Sequence, residues 1–256
     1  MDPFDALARP LAPADRELFA ARVREDAHVL GDYGLDGSPV RVLLRHGPHS
    51  DVGVFHEIFH AGIYTPPAAV EARLDALGRP PRVVDAGGNV GLFGAWLLSR
   101  RPGAEITSYE PEPGNRAVLE ACAARNAALA DWAVVPTAVG TEDGTAGFAG
   151  GMGAMSCLCE DGPLQVSALD LLARLGGADL LKLDTEGGEW PILQDARLAA
   201  AGPAILVLEH HPAGAPPGED PAAAARRLVA AAGYADVRVV PDLRTDGVGM
   251  LWAWRS

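Results

Sequence analysis

From residue 82 onward, short apolar segments alternate with segments that have the spacing of helices. The predicted strands lie at 83–84, 105–109, 132–139, 180–183 and 204–208, and the predicted helices at 92–98, 115–128 and 221–232. Two further strands, 237–240 and 250–254, close the chain around a turn at Asp246-Gly247. Alternation of this kind is typical of a parallel sheet with helices on both faces, whereas the last close pair predicts an antiparallel edge. The sequence therefore predicts a doubly wound, mostly parallel α/β fold.

Residues 1–80 lack this alternation and are predicted to form an N-terminal helical cap on a main domain at 81–256. Helical spacing over 14–30 and 52–63, and a helix between Pro66-Pro67 and Gly78, support the cap, with one short strand at 40–44.

Two other local patterns lie within the main domain. Ser167-Ala168-Leu169-Asp170 has the form of a capping box, which predicts a helix as far as Leu175. The segments 143–154 and 212–225 are rich in Ala, Gly and Pro and are predicted to be loops.

Composition narrows the class of partner. The net charge is −13, from 34 acidic against 21 basic residues, and such a surface disfavours nucleic acid and anionic membranes. Three sparse cysteines do not form a disulfide framework, the start of the chain is acidic, and no apolar run reaches the roughly 20 residues that span a bilayer. We expect a cytoplasmic protein without nucleic-acid or membrane partners.

A glycine-rich turn follows the first strand of the main domain, with Asp85, Gly87, Gly88, Asn89 and Gly91 in order. Glycine lets a ligand lie against bare main chain, and the following helix offers N–H groups that lack partners. The last glycine comes one residue too early for the dinucleotide pattern G-x-G-x-x-G. The turn therefore favours a nucleoside with a charged tail over a pyrophosphate.

Glu110 ends the next strand, 19 residues after Gly91. A carboxylate at this place can accept hydrogen bonds from both hydroxyls of a ribose. Asp85 is placed to meet an amino group of the same ligand, directly or through water. The alternative is that the turn is only a tight connection and Glu110 only a solvated acid.

Three motifs in order resemble the FkbM family of class I S-adenosylmethionine-dependent methyltransferases. They are Asp85-x-Gly-Gly-Asn-x-Gly, Glu110-Pro-Glu-Pro, and Leu181-Lys-Leu-Asp-Thr-Glu-Gly-Gly-Glu189, and the likeness covers roughly residues 50–210. Gly88 stands where the family usually has Ala. The resemblance implies a seven-stranded sheet that binds S-adenosylmethionine. It also implies methyl transfer, usually to a hydroxyl oxygen of a sugar or secondary metabolite, with the N-terminal cap at 1–80 covering the substrate site.

On this interpretation the cofactor contacts come from the glycine turn, the second strand end and two flanking positions. These residues are Tyr64, Asp85, Gly87, Gly88, Asn89, Gly91, Glu110, Pro111 and Ala138.

The catalytic candidates are Asp184, Glu209 and His211, which follow two predicted strands. Histidine is the natural base near neutral pH, and a carboxylate can orient it or bind the acceptor hydroxyl. The same three residues are also able to hold a divalent ion, and the sequence leaves metal dependence open. The alternatives are a surface position for His211 and, for the chain's one lysine, Lys182, a structural ion pair inside an acid cluster.

His56-Glu57-Ile58-Phe59-His60 is a literal H-E-x-x-H, the zinc motif of metallopeptidases. A third ligand at a convincing spacing is missing, and the parallel α/β pattern is unlike a zinc peptidase. Within the predicted fold, N- or C-methylation and a non-catalytic nucleoside-binding role are further alternatives. The expected partner is a small hydroxylated acceptor whose identity stays open, as does the oligomeric state, with a homodimer as one option.

Overall fold

A computed structural model describes residues 3–47, 51–151, 156–158, 161–241 and 247–256. The N-terminal region contains two helices, a hairpin and two more helices: α1 (Pro3–Leu7), α2 (Pro13–Arg24), β1 (Leu30–Gly34), β2 (Arg41–Arg45), α3 (Val52–His56) and α4 (Ala68–Ala76). A π-helical turn, Glu57–Ala61, continues α3. The region is therefore not wholly helical, because β1 pairs with β2 in an antiparallel hairpin.

The main domain alternates strands and helices as predicted. Its strands are β3 (Arg82–Ala86), β4 (Glu105–Tyr109), β5 (Asp131–Val135), β6 (Ala138–Gly140), β7 (Gly144–Ala149), β8 (Cys157–Leu158), β9 (Leu164–Asp170), β10 (Leu180–Leu183), β11 (Ile205–His210), β12 (Asp236–Val240) and β13 (Gly249–Trp254). Its α-helices are α5 (Leu92–Arg100), α6 (Pro113–Arg125), α7 (Glu189–Gln194), α8 (Leu198–Ala201) and α9 (Pro221–Ala231).

Seven strands form the central sheet in the order β12-β13-β11-β10-β3-β4-β5. Strand β13 runs antiparallel to both β11 and β12, while the other neighbours are parallel. The predictions of a doubly wound, seven-stranded, mostly parallel sheet and of an antiparallel final pair are confirmed. The turn predicted at Asp246-Gly247 includes Asp246, which lies outside the described residues.

The order of strands reverses between β3 and β10. The chain moves from β3 outward through β4 and β5, and later from β10 outward through β11. In doubly wound sheets the carboxyl ends of the strands at such a switch point form the ligand crevice. The glycine turn follows β3 and Asp184 follows β10, so the fold brings both to this place.

The predicted helix from Ser167 is wrong, because this segment pairs as strand β9. The loop predicted at 143–154 is wrong over Gly144–Ala149, which forms strand β7, and its residues 152–154 lie outside the described residues. Strand β9 pairs with β6 and β7 in a small four-stranded sheet, with Ser167 opposite Thr145. Only one 3₁₀ turn follows, Leu172–Arg174, and Asp170 rather than Ser167 accepts a hydrogen bond at its start. Pairing with two neighbouring strands overrides a four-residue local pattern.

Apolar side chains cover both faces of the central sheet. On one face, Phe19, Tyr33 and Phe55 of the N-terminal region belong to the same cluster as Phe93 and Trp96 of α5. The other face packs against α7 to α9. The N-terminal region is thus part of the core of the sheet, and its role as a substrate cover stays a prediction. Among the described residues, every helix is too short or too polar to traverse a bilayer.

Candidate active site

The glycine turn passes very close to the end of β10. Gly87 has φ of +87°, and a Cβ added there would lie 1.7 Å from the carbonyl oxygen of Asp184. Only glycine fits this position, for both conformational and steric reasons. Asn89 also has a left-handed backbone, with φ of +47°. A strained residue of this kind is common at functional sites.

Glu110 holds the turn from the neighbouring strand. Its carboxylate accepts hydrogen bonds from the main-chain N–H of Asn89, at 2.7 Å, and of Glu112, at 2.9 Å. The side chain is buried, and burial raises the pKa of Glu110 to about 7 even though the two N–H donors act in the opposite direction. The carboxylate that the sequence assigned to a ribose therefore lies beside the turn.

A cavity of about 470 Å³ lies over the carboxyl ends of the strands. Nine of the twelve predicted site residues line it: Tyr64, Gly87, Asn89, Glu110, Pro111, Ala138, Asp184, Glu209 and His211. Its outer walls come from the N-terminal region and from the small sheet: Gly53, Val54, Glu57, Ile58, Ile63, Phe148, Cys157 and Leu158.

Three predicted cofactor residues lie behind the cavity wall. Asp85 is completely buried and accepts a hydrogen bond of 2.7 Å from Ser108 Oγ. Gly88 and Gly91 face Leu119, where an added Cβ would come within 2.9 Å of a methyl carbon. These three residues therefore support the conformation of the turn and do not line the cavity.

Lys182 is buried among acids, as the sequence predicted. Its Nζ lies 3.3 Å from Asp85 Oδ1 and 3.1 Å from Asp184 Oδ2, and it donates a hydrogen bond of 2.5 Å to the carbonyl oxygen of Gly87. Burial disfavours the charged ammonium, but the carboxylates of Asp184 and Asp85 outweigh it and hold the pKa of Lys182 above its usual value. The ion pair predicted inside the acid cluster is present.

Tyr64 reaches the same carboxylate from the N-terminal region. Its Oη donates to Asp184 Oδ2 at 3.5 Å, and its ring packs edge-on against Phe93 with centroids 4.9 Å apart. Burial, together with the charges of Asp184 and Glu209, raises the pKa of Tyr64 well above its usual value. The phenol therefore stays protonated and acts as a donor.

His211 lies among three carboxylates. Its Nδ1 is 3.1 Å from Glu189 Oε1, and its Nε2 is 3.4 Å from Glu186 Oε2 and 4.0 Å from Asp184 Oδ1. Burial alone would lower the pKa of His211, but these carboxylates raise it to about 11. His211 therefore carries a positive charge at neutral pH, which speaks against its acting as the base.

Glu189 fixes the orientation of that histidine. The carboxylate is fully buried and accepts hydrogen bonds from the main-chain N–H of Gly187, at 2.8 Å, and of His211, at 2.7 Å. The sequence placed Glu189 at a helix start, and α7 does begin there. Its contact with His211 joins residues 22 positions apart, which local spacing does not reveal.

Glu186 is the functional candidate that sequence reasoning did not select. It has a left-handed backbone, with φ of +52°, and its carboxylate lines the cavity beside His211. The spacing Asp184-x-Glu186 is the sequence signal that could have identified Glu186.

The H-E-x-x-H segment spans the end of α3 and the π-helical turn. The rings of His56 and His60 are 5.3 Å apart, but His60 Nε2 is hydrogen-bonded to the carbonyl oxygen of Leu7 at 2.7 Å. Within the described part of the chain, the one group of three side chains with metal-ligand geometry is Asp184, Glu186 and His211. Among the described residues, the H-E-x-x-H motif therefore has no third ligand. Its Glu57 lines the cavity.

A search against models of known families finds no match, and neither does a search against curated proteins. Solved structures do resemble the chain. The bifunctional kinase-methyltransferase WbdD matches with a TM-score of 0.49 and 19% identity over 76% of this chain and 40% of its own. This chain therefore spans less than half the length of WbdD.

Two further structures are similar. The methyltransferase FkbM from Methylobacillus flagellatus has a TM-score of 0.49 and 12% identity over 98% of this chain and 58% of its own. Magnesium protoporphyrin IX methyltransferase from Synechocystis, crystallised with SAM, has a TM-score of 0.47 and 19% identity over 79% of this chain and 84% of its own.

The strand order of the chain itself establishes its fold. Parallel strands lie on both sides of a switch point, the reversed strand β13 lies between β11 and the edge strand β12, and a glycine turn follows β3. The chain therefore has the Rossmann-like fold of class I methyltransferases, the fold that its resemblance to the FkbM family implies.

Proposed function

We propose that this protein is an S-adenosylmethionine-dependent methyltransferase that methylates a hydroxyl oxygen of a small molecule. The observation that carries the proposal is the single cavity that joins two groups of residues. Glu110 and the glycine turn line one part of it, and Asp184, Glu209 and His211 line another. A nucleoside cofactor and an acceptor can therefore lie side by side, which is the arrangement that methyl transfer requires.

The cofactor part of the proposal rests on Glu110. An ionised carboxylate has enough lone pairs to accept both ribose hydroxyls while it keeps the N–H groups of Asn89 and Glu112. The turn from Gly87 to Asn89 then lies along the cofactor, with Pro111 and Ala138 as further contacts. Asp85 acts indirectly, through Lys182, which binds the carbonyl oxygen of Gly87.

The acceptor end is rich in negative charge, from Asp184, Glu186 and Glu209. Carboxylates here favour the positive sulfonium of the cofactor. In the transfer, an acceptor oxygen forms a bond to the methyl carbon, the carbon–sulfur bond breaks, and its electron pair stays on sulfur as the neutral thioether. The hydroxyl proton needs an acceptor of its own.

We assign the role of proton acceptor to Glu209. Asp184 is held by Lys182 and Tyr64, and His211 already carries a proton. Glu209 is the penultimate residue of β11 and lines the same cavity as Asp184 and His211. Tyr64 and His211 position Asp184 and the neighbouring carboxylates, and Asp184 is left to orient the acceptor hydroxyl.

A nitrogen acceptor is the second candidate. The same three carboxylates would attract a protonated amine, and Glu209 would then remove its proton before transfer. A cytoplasmic location and a homodimer stay predictions.

The test is calorimetric titration with S-adenosylhomocysteine. We expect saturable binding by the wild-type protein and a loss of affinity of at least about tenfold in Glu110→Gln, since two hydrogen bonds to a charged group are weakened. Glu105→Gln, at the other end of the same strand, is the matched control. Absence of binding by the wild-type protein, or equal affinity in Glu110→Gln, would contradict the proposal.

A further inference from the structure

We propose that Asp184, Glu186 and His211 bind a divalent metal ion in the cavity. One ligand atom from each residue lies within 4.8 Å of the others. The residues come from the ends of β10 and β11, the two strands on one side of the switch point. The motif with metal-ligand spacing in the sequence, H-E-x-x-H, does not contribute to this group.

The separations fit a common coordination sphere. Nε2 of His211 lies 3.4 Å from Glu186 Oε2 and 4.0 Å from Asp184 Oδ1. An ion with bonds of about 2.1 Å holds neighbouring ligand atoms about 3.0–3.4 Å apart and opposite atoms about 4.2 Å apart. Both distances from Nε2 lie between these limits, and one ligand atom from each of the three residues lies within 4.8 Å of the others.

The two oxygens of Asp184 have different partners. Oδ2 accepts from Lys182 and Tyr64, at 3.1 Å and 3.5 Å. Oδ1 is the oxygen that faces His211. The lysine therefore fixes the carboxylate without occupying the oxygen that a metal would use.

The ring of His211 is oriented as in known metal sites. Its Nδ1 faces the buried carboxylate of Glu189, which is itself fixed by two main-chain N–H groups. Metal-binding histidines commonly donate their other ring N–H to such a carboxylate, which leaves Nε2 for the ion. Coordination at Nε2 would release the proton of that nitrogen.

The group is also accessible. The side chains of Asp184 and Glu186 are 22% and 29% exposed, and all three residues line the cavity. Three protein ligands leave positions open for water or another ligand, as in catalytic rather than structural metal sites. Two carboxylates with one imidazole favour a first-row transition ion, such as Mn²⁺, over Ca²⁺.

The consequence for catalysis rests on the proposed function. An ion at this place would lower the pKa of an acceptor hydroxyl that coordinates it, which eases proton transfer to Glu209. The binding of the ion itself does not depend on that function and can be tested alone.

The experiment is titration of the chelator-treated, full-length protein with Mn²⁺, followed by calorimetry and electron paramagnetic resonance. We expect saturable uptake of one ion per chain by the wild-type protein and a loss of affinity of at least about tenfold in Glu186→Gln. Glu105→Gln is the control and should bind as the wild type does. Circular dichroism establishes that each variant is folded.

A second measurement needs no variant. Bound Mn²⁺ should broaden the imidazole resonances of His211 before those of His28, whose ring is exposed and does not line the cavity. Lack of saturable uptake, unchanged affinity in Glu186→Gln, or uniform broadening of all histidines would overturn the metal site. Titration with S-adenosylhomocysteine separates the two proposals. Cofactor binding without Mn²⁺ uptake refutes only the metal site, and Mn²⁺ uptake without cofactor binding refutes only the proposed function.

Discussion

Nζ of Lys182 donates a hydrogen bond of 2.5 Å to the carbonyl oxygen of Gly87. The same ammonium lies 3.1 Å from the carboxylate of Asp184. One buried cation therefore connects the turn proposed to hold the cofactor with the strand end proposed to hold the acceptor.

Replacement of Lys182 by methionine should destabilise the protein strongly. Asp85 is completely buried, and loss of the ammonium would leave its charge without compensation. Breaking a buried pair in this way typically costs about 3–5 kcal/mol. Urea unfolding followed by circular dichroism measures the change in the free energy of unfolding.

The double variant Lys182→Met with Asp85→Asn is the control for that prediction. It removes the orphaned charge, so we expect it to recover part of the lost stability. A double variant as unstable as the sum of the two single variants would show that the pair does not act through charge compensation.

Gly87→Ala should prevent the turn from forming. The added Cβ would overlap the carbonyl oxygen of Asp184, and the residue would keep a left-handed φ. We expect a loss of more than about 3 kcal/mol in the free energy of unfolding, or an unfolded protein. Gly140→Ala, where an added Cβ meets nothing within 4 Å, should unfold within about 1 kcal/mol of the wild type. Similar stability of the two variants would refute the close approach of the turn to β10.

Binding of S-adenosylhomocysteine should weaken as the pH falls through about 7. The ionised form of Glu110 accepts the ribose hydroxyls, and burial raises the pKa of this group to about 7 in the free protein. Below that pH the carboxyl is protonated before binding, so affinity should fall by up to about tenfold per pH unit. Calorimetry between pH 5.5 and pH 8.5 measures the slope, which should be absent in Glu110→Gln. A slope that persists in the variant would assign the titration to another group.

His56→Ala should leave the binding of S-adenosylhomocysteine and of metal unchanged. His56 is exposed, and its motif partner His60 is hydrogen-bonded to Leu7 in the N-terminal region. Stoichiometric zinc uptake that disappears in this variant would support the peptidase alternative instead. Calorimetric titration with zinc, in the wild type and in His56→Ala, makes the comparison.

Local sequence patterns predicted the parts of the fold that local chemistry controls. The run Leu180–Leu183 is apolar except for Lys182 and forms a fully buried strand, and the glycines at 87 and 91 have the positive φ that a tight turn requires. Strand β9 was missed because its pairing with β6 and β7 outweighs the capping-box pattern at Ser167. Pairing partners lie far away in the sequence, and no local pattern records them.

In the candidate site, too, some features follow from local sequence and others from contacts between distant residues. The sequence identifies Asp184, Glu209 and His211 because each lies at or just after the carboxyl end of a buried strand. The charge of His211 was not predicted, because it depends on Glu186 and Glu189, which approach the ring only after β10 and β11 pair. The position of a residue at a strand end can thus be predicted from sequence, whereas the protonation state of His211 depends on tertiary contacts.

The most direct test of the central claim is a crystal structure of the complex with S-adenosylhomocysteine. We predict that both ribose hydroxyls lie within hydrogen-bond distance of Glu110 and that the thioether sulfur points toward Asp184 and Glu209 inside the cavity. A nucleoside bound elsewhere, or a sulfur directed away from these carboxylates, would contradict the account.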